Sequence, residues 1–212
     1  MAKTVSVKKV AVKECCPVVS RILAAAEKLF SKHGFAAVSM SAIAKEAGTS
    51  KANIYHHFRA KDDLHQAALR FAAESIKSLL ENVEESGGTV SRKLELFAQA
   101  HIEGMHSHPD MSRLILRELL TDSRKRGREI AESGFARNFS ALTTLVRKGQ
   151  KNGELRKDLD PAAVTALVLA ANIFFFQNND VLRHYREVTF ADDPEGYVKT
   201  VSEILLNGIR PR

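Results

Sequence analysis

Apolar residues recur every three or four positions along almost the whole chain, and nowhere do they alternate with polar ones over the length of a strand. A chain with that spacing can only bury its apolar atoms by packing helix on helix. The punctuation agrees. Pro17, Pro109, Pro161 and Pro194 stand where helices would begin, and Asp160-Pro161 and Asp193-Pro194 read as an N-cap followed by the first helical residue. Gly34, Gly48, Gly87-Gly88, Gly153 and Gly208 stand where helices or turns would end. The expected fold is all-α with about nine helices, over 17–33, 41–47, 51–57, 61–85, 91–107, 110–121, 126–151, 161–183 and 194–208. Eleven Gly and five Pro in 212 residues are too few for a collagen-like, Gly/Pro-rich disordered or turn-dense β chain.

Charge is unevenly placed. Residues 1–61 carry eleven Lys/Arg against three Glu, a surplus of +8, whereas 62–212 carry 21 Lys/Arg against 22 Asp/Glu, −1. A basic segment on a near-neutral body points to a polyanion, either nucleic acid or an anionic membrane surface. The longest apolar run, Ala162 to Phe176, is broken by Thr165 and Asn172. Its fifteen residues reach about 22 Å as a helix, short of a bilayer core. The N-terminus has lysines but no continuous apolar stretch of the kind a signal peptide needs. Cys15 and Cys16 are the only cysteines and make no disulfide framework. A reduced, cytoplasmic protein without a membrane span is the expectation.

Ser41 to Phe58 holds the most informative spacing. A short helix, SAIAKEA, meets Gly48 and then a second, KANIYHHF. Ala44 lets two helices approach, Gly48 permits a left-handed turn, and Ile54 plugs the second helix against the first. Ile54 and Phe58, four apart, face inward. Lys51, Asn53, Tyr55, His56 and part of His57 then face elsewhere, offering donors and aromatic planes suited to phosphates and base edges in a major groove. The preceding helix carries Ile22, Leu23, Ala26, Leu29 and Phe30 on one stripe that can cover the back of this hairpin. An ordinary helical hairpin with a polar face would share the geometry but would not need the basic surplus.

The segment RILAAAEKLFSKHGFAAVSMSAIAKEAGTSKANIYHHFRAKDDL, residues 21–64, resembles the DNA-binding domain of the TetR (tetracycline-repressor-like) transcriptional regulators. The likeness rests on Ala25, Leu29-Phe30, Gly34, Ile43-Ala44, Ala47-Gly48, Ser50-Lys51, Ile54-Tyr55, His57-Phe58, Lys61 and Leu64. It implies phosphate contacts from Ser39 and Ser41 at the first hairpin helix, and from Thr49, Ser50 and Lys51 opening the recognition helix. Tyr55 and Lys61 would contact phosphate, with His56 and His57 continuing that edge. Ala52 departs from a family glycine. Asn53 could pair with adenine. Residues 1–16 are then a flexible basic arm, 17–64 the DNA-binding domain, and 65–212 a sensing and dimerisation domain.

Helix 161–183 is apolar nearly all round, so it needs burial on two sides. With 194–208 it is expected to form a two-fold, four-helix interface through Val164, Leu167, Ala171, Phe174, Tyr197, Val201, Ile204 and Leu205. An effector pocket is sought among Phe97, His101, Met105, Phe139, Leu142 and Phe175; each could equally be plain core. His101, His106 and His108 lack i, i+4 ligand spacing, so no metal or other cofactor is expected. Basic residues Arg124, Lys125, Arg126 and Arg128 read as a solvated loop. No nucleophile elbow, phosphate loop, HExxH or paired CxxC suggests catalysis. The partners expected are double-stranded DNA with a palindromic operator, a second copy of the chain, and a small effector. The resulting reading is a ligand-released homodimeric repressor. The rivals are a ligand-independent regulator or activator, a DNA-bound adaptor for a protein partner, and a small helical enzyme.

Overall fold

Proline and glycine mark the helix ends much as the spacing predicts. The computed structural model describes residues 17–120, 128 and 130–210. The expected basic arm with Cys15 and Cys16, and Arg124, Lys125 and Arg126, lie outside the described residues. Among those described there are nine α-helices and no strand. They are α1 Pro17–His33, α2 Met40–Glu46, α3 Lys51–His57, α4 Lys61–Glu85, α5 Val90–Ser107, α6 Pro109–Leu120, α7 Ala136–Lys151, α8 Pro161–Leu182 and α9 Pro194–Ile209. Asp160 and Asp193 cap α8 and α9: their carboxylates accept from the N–H groups of Ala162 at 2.8 Å and Gly196 at 2.9 Å.

Two expectations about the helices change. The single helix sought over 126–151 is interrupted by a π-helical turn, Ala131–Phe135, in which Gly134 takes φ 113°. Glycine reaches that angle without a Cβ penalty, so the apolar period runs on while the backbone does not. The second change is in α8. The apolar run by itself is too short to span a bilayer, but α8, which contains it, has 22 residues and is, by length and composition, apolar enough to do so. In this fold Asn172 and Thr165, the two polar residues that break the run, are hydrogen-bonded to neighbouring helices. Asn172 donates to the Ala98 carbonyl at 2.8 Å, and Thr143 donates to the Thr165 hydroxyl at 3.1 Å.

Compactness divides the chain into two units. One comprises residues up to Ser75 together with His108–Ala136, the other Ile76–Ser107 together with Arg137–Arg212. This differs from a single cut after residue 64, because α6 joins the first unit. Leu114 of α6 is buried in the same core as Ile22, Phe30, Ile43, Ile54, Leu64 and Leu69. Arg117 of α6 donates to the Ser31 carbonyl of α1 at 3.1 Å, and Ser31 donates to Asp110 at 3.3 Å. Helix α4 passes from one unit to the other within its length. In the second unit, Leu94, Phe97 and Ile102 of α5, Val168 and Phe175 of α8, and Val198 and Leu206 of α9 supply the buried side chains.

In the first unit Glu27 has a pKa raised to about 7, first by burial and then by the nearby charge of Asp110. The folded value lies above the 4.5 of an ordinary glutamate, so the fold favours the neutral acid. Stability is therefore greatest below pH 4.5 so far as this group is concerned, and is lost as Glu27 ionises up to and through pH 7. Glu27→Gln should flatten the fall in melting temperature between pH 4.5 and pH 7 and raise stability at pH 8, as thermal melts from pH 4.5 to pH 8 would read.

Candidate nucleic-acid interface

The recognition surface is assembled around one buried side chain. Ile54 of α3 is fully buried, and Ala44 of α2 and Ala47, its C-cap, lie in the same core. Between the helices the chain closes a Schellman turn: the N–H of Thr49 donates to Ala44 O at 3.0 Å and that of Gly48 to Lys45 O at 3.3 Å. Gly48 has φ 60°, the left-handed angle this motif requires. Both short helices then start on a serine. Ser39 Oγ accepts from the Ala42 N–H and Ser50 Oγ from the Asn53 N–H, each at 3.1 Å. A hydroxyl that accepts such a bond keeps its own O–H to donate.

With Ile54 pointing inward, α3 presents Lys51, Ala52, Tyr55, His56 and His57 outward, all exposed. Lys51 Nζ lies 5.8 Å from the Tyr55 ring centre, and His56 meets His57 edge-on at 5.0 Å. Asn53 is half-buried, its amide donating to Thr49 Oγ1 at 2.8 Å. Ser41 is exposed in the first turn of α2. Lys45 and Arg59, which the spacing argument passed over, are exposed in the same unit. Glu46, the acid on α2, is neutralised by Lys28 of α1 at 2.5 Å.

Lys61 is placed differently from the rest of the expected set. Its ammonium donates to the carbonyls of Phe35 at 2.8 Å, Val38 at 2.9 Å and Ala36 at 3.4 Å, and lies 4.3 Å from the Phe35 ring centre. These contacts turn the ammonium toward the segment between α1 and α2.

In the second unit, none of the six residues sought as an effector pocket lines the groove along α5, α8 and α9. Phe97, Leu142 and Phe175 are fully buried core, Met105 is buried, and Phe139 is exposed on α7. His101 stacks on Phe97 at 5.4 Å. Asn172, whose amide nitrogen donates to Ala98 O, lies 3.2 Å from His101 Nδ1, so Nδ1 accepts and the ring proton sits on Nε2. Burial lowers the His101 pKa to about 4, keeping the ring neutral at pH 7. That groove runs along Leu94, Ala98, Val168, Asn172, Val198 and Leu205. Of the residues expected at a subunit interface, Leu167, Phe174 and Ile204 are more than half exposed. Ala171, Val201 and Leu205 border the groove. Val164 is buried in the unit's own packing, and Tyr197 stacks on Phe175 at 4.5 Å while donating to Ala171 O at 3.0 Å. Among the described residues no group of three or more His, Cys, Asp or Glu could hold a metal.

This geometry defines a helix-turn-helix, DNA-binding class of protein. Residues 22–68 match the N-terminal domain of bacterial regulatory proteins of the tetR family, and 91–197 match a tetracyclin repressor-like C-terminal domain. The chain belongs to the TetR family of transcriptional regulators. It is 26% identical over 196 residues to the HTH-type transcriptional regulator UidR of Escherichia coli, covering 84% of this chain and 89% of the relative. It is 24% identical over 175 residues to the nucleoid occlusion factor SlmA of Marinomonas, covering 82% and 86%. The fold is shared with the fatty acid degradation regulator FadR of Bacillus halodurans at TM-score 0.75 and 21% identity, over 94% of this chain and 100% of that one.

The turn's two anchors give separable expectations. Ile54→Ala should cost about 2–5 kcal/mol, from lost burial and the cavity left behind. Gly48→Ala has nothing within 4 Å of the new Cβ, so only its backbone angle is penalised, at about 1 kcal/mol. Denaturant titration of the two variants would separate them.

Proposed function

We propose that this chain is a homodimeric repressor that reads a palindromic operator through α3 and is released from it by a small apolar or amphipathic effector. The observation that carries the reading is the outward face of α3, where Lys51, Tyr55, His56 and His57 are exposed around a helix pinned by Ile54. Lys51 and the serine hydroxyls suit phosphate, and Asn53 suits an adenine edge once it leaves Thr49. Dimerisation is supported by Leu167, Phe174 and Ile204, large apolar side chains left exposed on α8 and α9. Two copies joined there would present paired recognition helices to half-sites about one helical turn apart.

An effector of the proposed class would find apolar walls and two polar handles, Asn172 and Ser202, in the groove along α5, α8 and α9. A hundredfold loss of operator affinity needs about 2.7 kcal/mol of coupling, within the usual allosteric range. Acting on DNA places the protein in the cytoplasm, and no catalytic step enters this scheme.

The test is selection of bound sequences from random duplex DNA by the full-length protein. The expected result is an inverted repeat, with Lys51→Ala flattening the log–log salt dependence by about 0.9 per site and Asn53→Ala relaxing one base position. Recovery of no sequence would defeat the reading. Ile204→Glu should turn a dimer into a monomer in sedimentation velocity and weaken operator binding.

A further inference from the structure

Helix α4 holds the approach to the recognition surface by two side chains one turn apart. Lys61 spends its ammonium on the carbonyls of Phe35, Ala36 and Val38 and sits 4.3 Å from the Phe35 ring centre. His65, fully buried, meets the same Phe35 ring at 4.9 Å and the Phe30 ring edge-on at 5.2 Å. Its Nε2 lies 3.2 Å from Glu118 Oε1 of α6, a side chain only 5% exposed. Phe35 therefore touches both a cation and an imidazole from α4, while His65 also engages α1 and α6.

The segment so held leads directly into the site. Val38, whose carbonyl Lys61 binds, is followed by Ser39, the N-cap of α2. Helix α2 carries α3 through the Schellman turn and the shared core around Ile54. Val38 is buried, and the hydrogen bonds to Lys61 are charge-assisted. A displacement of α4 must accordingly move the start of α2.

We propose that Lys61, Phe35, His65 and Glu118 form a clamp that sets the position of α2 and α3 relative to α4, with Lys61 acting as a positioning residue and not as a phosphate contact. The proposal rests on the DNA-binding reading above and gives that reading its mechanical link. It also separates two roles that the sequence alone merges, since a lysine at this place could serve either. A phosphate contact contributes a released counterion to binding; a positioning lysine contributes geometry.

The two roles differ in salt dependence. The full-length protein is titrated with the duplex recovered by selection, over a salt series, as wild type, Lys61→Met, Lys61→Arg and Phe35→Leu. The expected result is at least a tenfold loss of affinity in Lys61→Met with the log–log slope within half a unit of wild type. Lys61→Arg, which still donates to carbonyls, should restore most of the loss. Phe35→Leu removes no charge and should weaken binding to a similar extent. Amide resonances of Ser39 and Ala42 should shift in DNA-free Lys61→Met while that of Phe97 does not. A slope reduced by about 0.9 in Lys61→Met, or undiminished affinity in it, would overturn the clamp. Should Lys61→Met not fold, undiminished affinity in Phe35→Leu overturns it equally. A wild-type protein that selects no sequence would instead defeat the DNA-binding reading itself.

Discussion

Ile54 under α2 is the contact on which the recognition surface depends. Helices α2 and α3 have seven residues each, too short to persist alone. Their stability comes from burial. One fully buried Ile supplies roughly 1.5–3 kcal/mol, and it does so only if Gly48 lets the chain reverse between the helices. Once Ile54 is inward, the 3.6-residue period leaves Lys51, Tyr55 and His56 outward. The same packing that creates the hairpin therefore creates the face that meets DNA.

Around that hairpin, α1, α4 and α6 form a support whose polar contacts are as specific as its core. Arg117 on the Ser31 carbonyl, Ser31 on Asp110, Lys61 on the 35–38 carbonyls and His65 beside Glu118 each join helices distant in sequence. Glu27, raised to about pKa 7, shows the energetic character of this seam: it holds an acid more readily neutral than charged. The second unit follows a different logic. Its core is aromatic and aliphatic, Asn172 and Thr143 hydrogen-bond to Ala98 and Thr165 within it, and it leaves large apolar side chains on α8 and α9 facing outward.

Much of the helical layout was legible because proline, glycine and aspartate act locally. The caps of α8 and α9 and the turn at Gly48 need only neighbouring atoms, and all were readable from spacing. The exposed face of α3 was equally readable once Ile54 was assigned inward. The assignment of α6 was not: nothing in Pro109–Leu120 says that Leu114 joins the core of α1. The burial of the residues expected to line an effector pocket was not legible either. Phe97, Leu142 and Phe175 have the composition of a pocket, but packing closes them into core and opens a groove elsewhere.

By itself, the sequence determined the all-α fold, the helix-turn-helix and the side of α3 that faces outward, because each follows from periods of three to six residues. Only the tertiary structure decided what Lys61, His65 and Glu118 do. Lys61 finds its carbonyl partners 23 to 26 residues away, and His65 finds Glu118 53 residues away. No local period encodes contacts at such separations. They exist only when α1, α4 and α6 have packed, and the Lys61 ammonium then donates to backbone carbonyls.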